Sequence, residues 1–244
     1  MNLFKSLFKS NLAESLHEAC AMGNPSEVQR LLRKNPDVNS TDWPSGFTPL
    51  HVCVSGTDSS NRQKIIELLK KSGADLNMKD QEKGLTPLHF VALRNKPLCA
   101  KTLIKCGADV NMTEGNGATA LHGAIYHGNI EIAKILIASG ADLLAIDNYG
   151  NTPVSIADDM NLLNENLLPK DQIILLLEQL ADTNNGQIVS KSQKIHFSTI
   201  VQLMNNAGAT RHGSRESRSN DGRRCIFDNY TLPDGKKILA GYPV

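Results

Sequence analysis

Four histidines, His17, His51, His89 and His122, each follow a leucine and recur at spacings of 34, 38 and 33 residues. Imidazole is a common metal ligand and a base near neutral pH, so such a series first raises metal binding or proton transfer. The spacing argues against both. Side chains at one position of successive packed helices lie ~8–10 Å apart, whereas a His–metal bond is ~2 Å. The five cysteines, Cys20, Cys53, Cys99, Cys106 and Cys225, are odd in number and contain no C-x-x-C pair. That disfavours a disulfide framework or a thiolate zinc site and suits a reducing compartment. Cys53 reads as a small buried apolar residue. Cys106 precedes a glycine, with no base placed beside it. Asp158 and Asp159 are paired acids in a polar stretch and read as capping and solvating a helix start. G-x-S-x-G, P-loop, H-E-x-x-H and G-x-G-x-x-G strings do not occur. The expectation is no catalytic residue, no metal and no cofactor.

The whole-chain totals agree. In 244 residues, 26 Lys+Arg face 25 Asp+Glu, and 40% are hydrophobic. That is enough apolar material for a sizeable core. The near-zero charge argues against coating nucleic acid along the chain. No apolar run reaches the ~20 residues of a membrane span. The N-terminus carries Lys5 and Lys9 and no signal-peptide core. The expectation is a cytoplasmic protein.

The elements that carry these residues follow from a repeat. Thr48–His51 and Thr86–His89 read TPLH, Thr119–His122 reads TALH and Thr152–Ser155 reads TPVS, with threonines 38, 33 and 33 residues apart. Gly46, Gly84, Gly117 and Gly150 each stand two residues before the threonine, and Gly-Ala-Asp recurs at Gly73, Gly107 and Gly140. Threonine accepts a hydrogen bond from an orphan amide at a helix start, and proline at the first helical position loses none. Each string therefore opens a helix, and each Gly-Ala-Asp closes one in the left-handed conformation. Helices this short need burial against a partner helix and against neighbouring repeats. The polar, turn-rich stretches between repeats read as projecting hairpins. Degenerate copies at Leu16-His17 and Ala181-Asp182 bring the count to five. Between Val54 and Ile65 about four extra residues lengthen one inter-helix loop.

The pattern over residues 12–186 resembles the ankyrin-repeat family. The resemblance implies an all-α solenoid of helix pairs joined by β-hairpin fingers, with repeats over about 12–45, 46–83, 84–116, 117–149 and 150–186. It also implies that the recurrent histidine is structural and bonds between repeats. Partners of such proteins usually bind the fingers and the concave face of the first helices. Here those places are Trp43, Ser45 and Phe47, then Gln81, Glu82 and Leu85, then Asn116 and Ala118, then Asn148 and Tyr149. Leu93, Arg94, Tyr126 and His127 lie just past the first helices. Trp, Tyr and Arg dominate interface energetics; the other reading of Trp43 and Phe47 is folding back onto the next repeat. Asn39, Asn77 and Asn111 resemble sites of asparaginyl hydroxylation in this family, and their plain reading is closure of the finger by hydrogen bonding.

The ends differ from the middle. Leu3, Phe4, Leu7, Phe8 and Leu12 form a helical stripe in residues 1–11 and just beyond, read as a cap on the solenoid, with membrane contact as the alternative. Asp171–Leu180 reads as a helix of the fifth repeat. Residues 187–210 contain a further helix around Ile195–Asn206. Residues 211–224 carry five arginines against Glu216 and Asp221, with no apolar residue, and read as an exposed linker. Cys225–Tyr230 and Lys236–Tyr242 flank Leu-Pro-Asp-Gly, which suits a β-hairpin or a short partner-bound motif. The function expected is a monomeric, non-catalytic adaptor that binds a protein partner. The alternatives are a bacterial effector acting on host proteins, or a small enzymatic tail over 187–244.

Overall fold

The computed structural model describes the backbone over residues 2–42, 44–160, 162, 167, 187–189, 197–218 and 224–243, and side chains over 12–42, 44–160, 162, 167, 200–214, 226 and 228–240. The chain divides into two compact units, Met1–Gly150 and Asn151–Val244.

In the first unit, the helices are α1 Asn2–Met22, α2 Pro25–Leu32, α3 Pro49–Ser55, α4 Ser60–Lys71, α5 Pro87–Leu93, α6 Pro97–Lys105, α7 Ala120–Tyr126 and α8 Ile130–Ala138. Prolines or side-chain caps start α2 to α7. Helices α1, α3, α5 and α7 pack in sequence as one layer, α2, α4, α6 and α8 as a second, and each repeat pairs one from each. Leu50, Leu88 and Leu121 from the first layer and Leu69, Leu103 and Leu136 from the second are fully buried between them. At Gly73 and Gly107 φ is 93° and 96° with open space around the missing Cβ. The left-handed backbone, not crowding, therefore requires glycine there. Residues 1–11 were expected as a separate cap; their backbone from Asn2 onward instead continues into α1. Their side chains, and with them the membrane alternative, lie outside the described residues.

The lengthened loop between α3 and α4 is a brace. A helix leaves its last carbonyls without intrahelical donors. Arg62, 6% exposed, donates to Cys20 and Ala21 at the end of α1 and to Cys53 in α3. Lys96, 8% exposed, donates to Val54 and Gly56 at the end of α3. Asp58 accepts from the backbone amides of Leu98 and Cys99 at 2.9 and 3.0 Å and so caps α6.

The second unit contains α9 Pro153–Asp159, β1 Gln187–Val189, α10 Phe197–Ala207, β2 Thr210–Arg218, β3 Arg224–Thr231 and β4 Lys237–Pro243. The sheet order is β1-β4-β3-β2, with β1 parallel to β4 and the other pairs antiparallel. Tyr230, Ile238 and Ala240 are buried in the sheet, and Ile200, Leu203, Met204 and Ala207 are buried on α10. The hairpin around Leu-Pro-Asp-Gly is present as β3–β4, and α10 lies where the helical stripe placed it. The Arg-rich linker is a correction: residues 210–218 form the edge strand β2. A strand lacking apolar residues is held by its neighbour. Buried Asp228 accepts from Arg211 at 2.9 Å and from Ser214 at 2.5 Å, so β3 supplies the countercharge. Helix α9 opens with the expected Thr152 cap and groups with this second unit. The expected helix Asp171–Leu180 lies outside the described residues.

Candidate protein-binding face

The recurrent histidines tie each repeat to the next. The amide of Thr48 donates to His51 Nδ1 at 3.2 Å. A backbone N–H can only donate, so Nδ1 carries no proton and Nε2–H donates to the Leu85 carbonyl at 3.0 Å. His89 repeats this, accepting from the Thr86 amide at 3.2 Å and donating to the Ala118 carbonyl at 3.2 Å. His122 accepts from the Thr119 amide at 3.0 Å. His17 lacks the threonine cap, yet its Nε2 meets the Phe47 carbonyl at 3.0 Å. Burial lowers the affinity of His51 and His89 for a proton, His89 to a pKa of about 4. These are neutral hydrogen-bonding clamps. The thiols are likewise held protonated: burial pushes Cys53 up to about 12 and also raises Cys20, Cys99 and half-buried Cys106.

The asparagines do more than close their own turns. Asn39 accepts from the Asp75 amide at 2.9 Å and donates to the Gly73 carbonyl at 3.3 Å. Asn77 accepts from Asp109 at 2.9 Å. Asn111 accepts from Asp142 at 2.8 Å and donates to Gly140 at 3.2 Å. Each amide therefore bridges to the following repeat. The next position is Leu144, where the ladder stops. Asn111→Leu should lower unfolding free energy by about 1–2 kcal/mol, read as a lower urea midpoint with unchanged slope.

The fingers are sewn together through their backbones. Gln81 N donates to Ser45 O at 3.1 Å, Gly115 N to Lys83 O at 2.8 Å, and Asn148 N to Asn116 O at 2.8 Å. Gln81, Glu82, Asn116 and Asn148 keep exposed side chains, while Ser45 is half-buried. Trp43 lies outside the described residues. Phe47 is a correction as a binding residue: it stacks on His51 at 5.7 Å and meets Phe90 edge-on at 5.1 Å. Folding back satisfies its ring. Leu85 is also buried, with its carbonyl taken by His51.

One groove of about 400 Å³ gathers six of the expected residues: Leu85, Leu93, Asn116, Ala118, Tyr126 and His127. It opens between two fingers and helices α5 and α7, and Lys83, His89, Glu114, Thr119, Ala120 and Gly123 complete it. Tyr126 is 66% exposed, its ring edge-on to His127 at 5.4 Å. Arg94 is exposed beside the groove residue Leu93, its guanidinium 5.8 Å from the centre of the Phe90 ring. Tyr149 is 70% exposed on the last finger. Gly123 makes the groove. The residue after the recurrent histidine is Val52, Phe90, Gly123 and, after Ser155, Ile156. A Cβ on Gly123 would lie 2.9 Å from Leu93 Cδ2. The missing side chain leaves the hollow open beside Leu93. That signal stood in the sequence at a position one residue past the motif.

The family model for ankyrin repeats, in three copies, matches residues 2–80, 59–147 and 88–165. The chain belongs to the ankyrin-repeat family. Inversin of Gallus gallus is 30% identical to this ankyrin-repeat chain over 147 residues, which is 60% of the chain and 10% of that relative. Inversin of Canis lupus familiaris is 32% identical over 200 residues, 81% of the chain and 14% of the relative. The potassium channel AKT1 of Oryza sativa subsp. indica is 41% identical over 66 residues, 25% of the chain and 7% of the relative. The chain therefore matches only a small fraction of the length of these ankyrin-repeat relatives. Ankyrin repeats mediate protein–protein interaction, and the clamps, ladder and sewn fingers show how the scaffold stays rigid enough to do so.

Proposed function

We propose that this chain is a non-catalytic adaptor that holds a partner protein against the groove at Gly123 and the neighbouring finger tips. The observation that carries this is the convergence of Tyr126, His127, Leu93 and Asn116 around one hollow. Exposed aromatic and arginine side chains on a rigid support are what interface centres use. Buried free thiols at Cys20, Cys53 and Cys99 support a reducing, cytoplasmic setting.

The test is affinity capture with wild type, Tyr126→Ala and Gly123→Val. Valine occupies the equivalent position 52, and its Cβ at position 123 would meet only the Leu93 side chain, so the fold should persist. At least one partner should be retained by wild type and lost about tenfold or more from both variants. A partner set unchanged in both variants overturns the groove as the binding site.

A further inference from the structure

We propose that Ser214 is a phosphorylation site, modified by a kinase that reads an arginine three residues upstream, and that its phosphate releases strand β2 from β3. Residues 211–219 read Arg-His-Gly-Ser-Arg-Glu-Ser-Arg-Ser. Of the three serines, only Ser214 has a basic residue three places before it, Arg211. The structure presents the same residue. A kinase holds its substrate as an extended segment, and β2 is already extended at the edge of the sheet. Thr210 to Ser214 are exposed. A register shift between Arg211 and Gly213 interrupts the pairing with β3 just before the serine, and such a bulge disrupts the ladder locally.

The contacts of Ser214 dictate what a phosphate does there. Its Oγ donates to Asp228 Oδ1 at 2.5 Å and accepts from Arg211 Nη2 at 2.8 Å. The same Nη2 donates to Asp228 at 2.9 Å. Asp228 is buried, and Arg211 balances its charge. In the transfer, Ser214 Oγ forms a bond to the γ-phosphorus of ATP and its proton passes to the base of the kinase. The bond from that phosphorus to the bridging oxygen breaks, and ADP leaves. The ester has no proton left for Asp228, and it brings about −1.5 to −2 charges against that carboxylate. It also draws off Arg211, whose guanidinium binds phosphate as a fork. A buried carboxylate then loses both donors and gains a like charge. The sequence of β2, Thr-Arg-His-Gly-Ser-Arg-Glu-Ser-Arg, has no apolar side chain to hold it by packing. Its other described side-chain ties to β3 are exposed: His212 to Thr231 at 2.9 Å, and Asn229 to the Gly213 carbonyl at 3.3 Å.

The full chain is incubated with ATP, magnesium and the catalytic subunit of cyclic AMP-dependent kinase, which reads upstream arginine, and sites are assigned by mass spectrometry. Ser214 should gain phosphate at least about tenfold faster than Ser217 or Ser219. Separately, phosphoserine is installed at 214 during synthesis, and hydrogen exchange of the β2 amides is followed. They should exchange at least about tenfold faster than in the unmodified chain. Ser214→Ala removes the hydroxyl without adding charge and should accelerate them by under about threefold. Asp228→Asn keeps an acceptor oxygen without the charge, and there phosphoserine should accelerate exchange by under about threefold. A kinase that leaves Ser214 unmodified, or prefers Ser217 or Ser219, overturns the site. Unchanged exchange, or an equal gain in Ser214→Ala or in the Asp228→Asn background, overturns the release. Should Asp228→Asn loosen the sheet by itself, the comparison with Ser214→Ala decides.

Discussion

Arg62→Met should destabilise the first unit by about 3 kcal/mol, measured by urea unfolding followed by circular dichroism. The methionine replaces the aliphatic stem but none of the donors. The guanidinium serves the carbonyls of Cys20 and Ala21 at the end of α1 and of Cys53 in α3. Hydrogen bonds to a charged donor contribute ~1.5–3 kcal/mol each, and an abandoned buried carbonyl costs ~1–3 kcal/mol. These terms overlap, so the sum is not the expectation. A cation at helix C-termini also meets the negative end of the dipole. Arg62→Lys should recover less than half, because one shorter-reaching nitrogen replaces two, Nη1 on Cys20 and Cys53 and Nη2 on Ala21. Gly56→Ala should mimic the loss with Arg62 intact: its φ of −73° suits any residue, but its Cβ would overlap the guanidinium. A change below about 1 kcal/mol for Arg62→Met would refute the bracing role.

Acid should weaken this protein well before its carboxylates titrate. His89 has a native pKa of about 4, lowered first by burial, against an ordinary value of 6.5. The unfolded chain therefore binds a proton that the native chain refuses. Stability from this group is complete above pH 6.5, declines as pH falls toward 4, and is fully lost below that. Over that window the loss is on the order of 3 kcal/mol. His51 shifts in the same direction and adds to the slope. Unfolding free energy measured from pH 7.5 to 4 should fall accordingly, and His89→Gln should flatten the curve while lowering its upper plateau. A stability curve that is flat between pH 6.5 and 4.5 would mean that the buried imidazole takes up its proton without strain.

The parts of this molecule that were legible in the sequence are those where one residue type has one physical use. Thr-Pro starts a helix and Gly-Ala-Asp ends one. Those rules placed the openings of α3, α5 and α7. The resemblance to the ankyrin family also implied a bond from the recurrent histidine to another repeat, but not that it lands on Leu85 and Ala118. Phe47 looked like a finger-tip anchor because exposure cannot be read from type: of the ring's neighbours, His51 and Phe90, the second comes from the next repeat. Gly123 escaped notice because an absence of atoms becomes a site only against its neighbours' bulk. The strand at 210–218 escaped because its stability resides in Asp228 on another strand. Sequence periodicity sees what a segment contributes and not what it receives.

The loop around Gly56 and Asp58 has a consequence for how such an array can change. Tandem repeats grow and shrink by copying or deleting single modules, and this works when each module meets its neighbours through the same generic surface. Here the second module reaches into the third through Asp58 and receives Lys96 in return. Through Arg62 it also holds the first. Cutting between them would strand a buried lysine and an uncapped helix. The three modules are therefore joined by side chains that a copied or deleted module would have to supply itself.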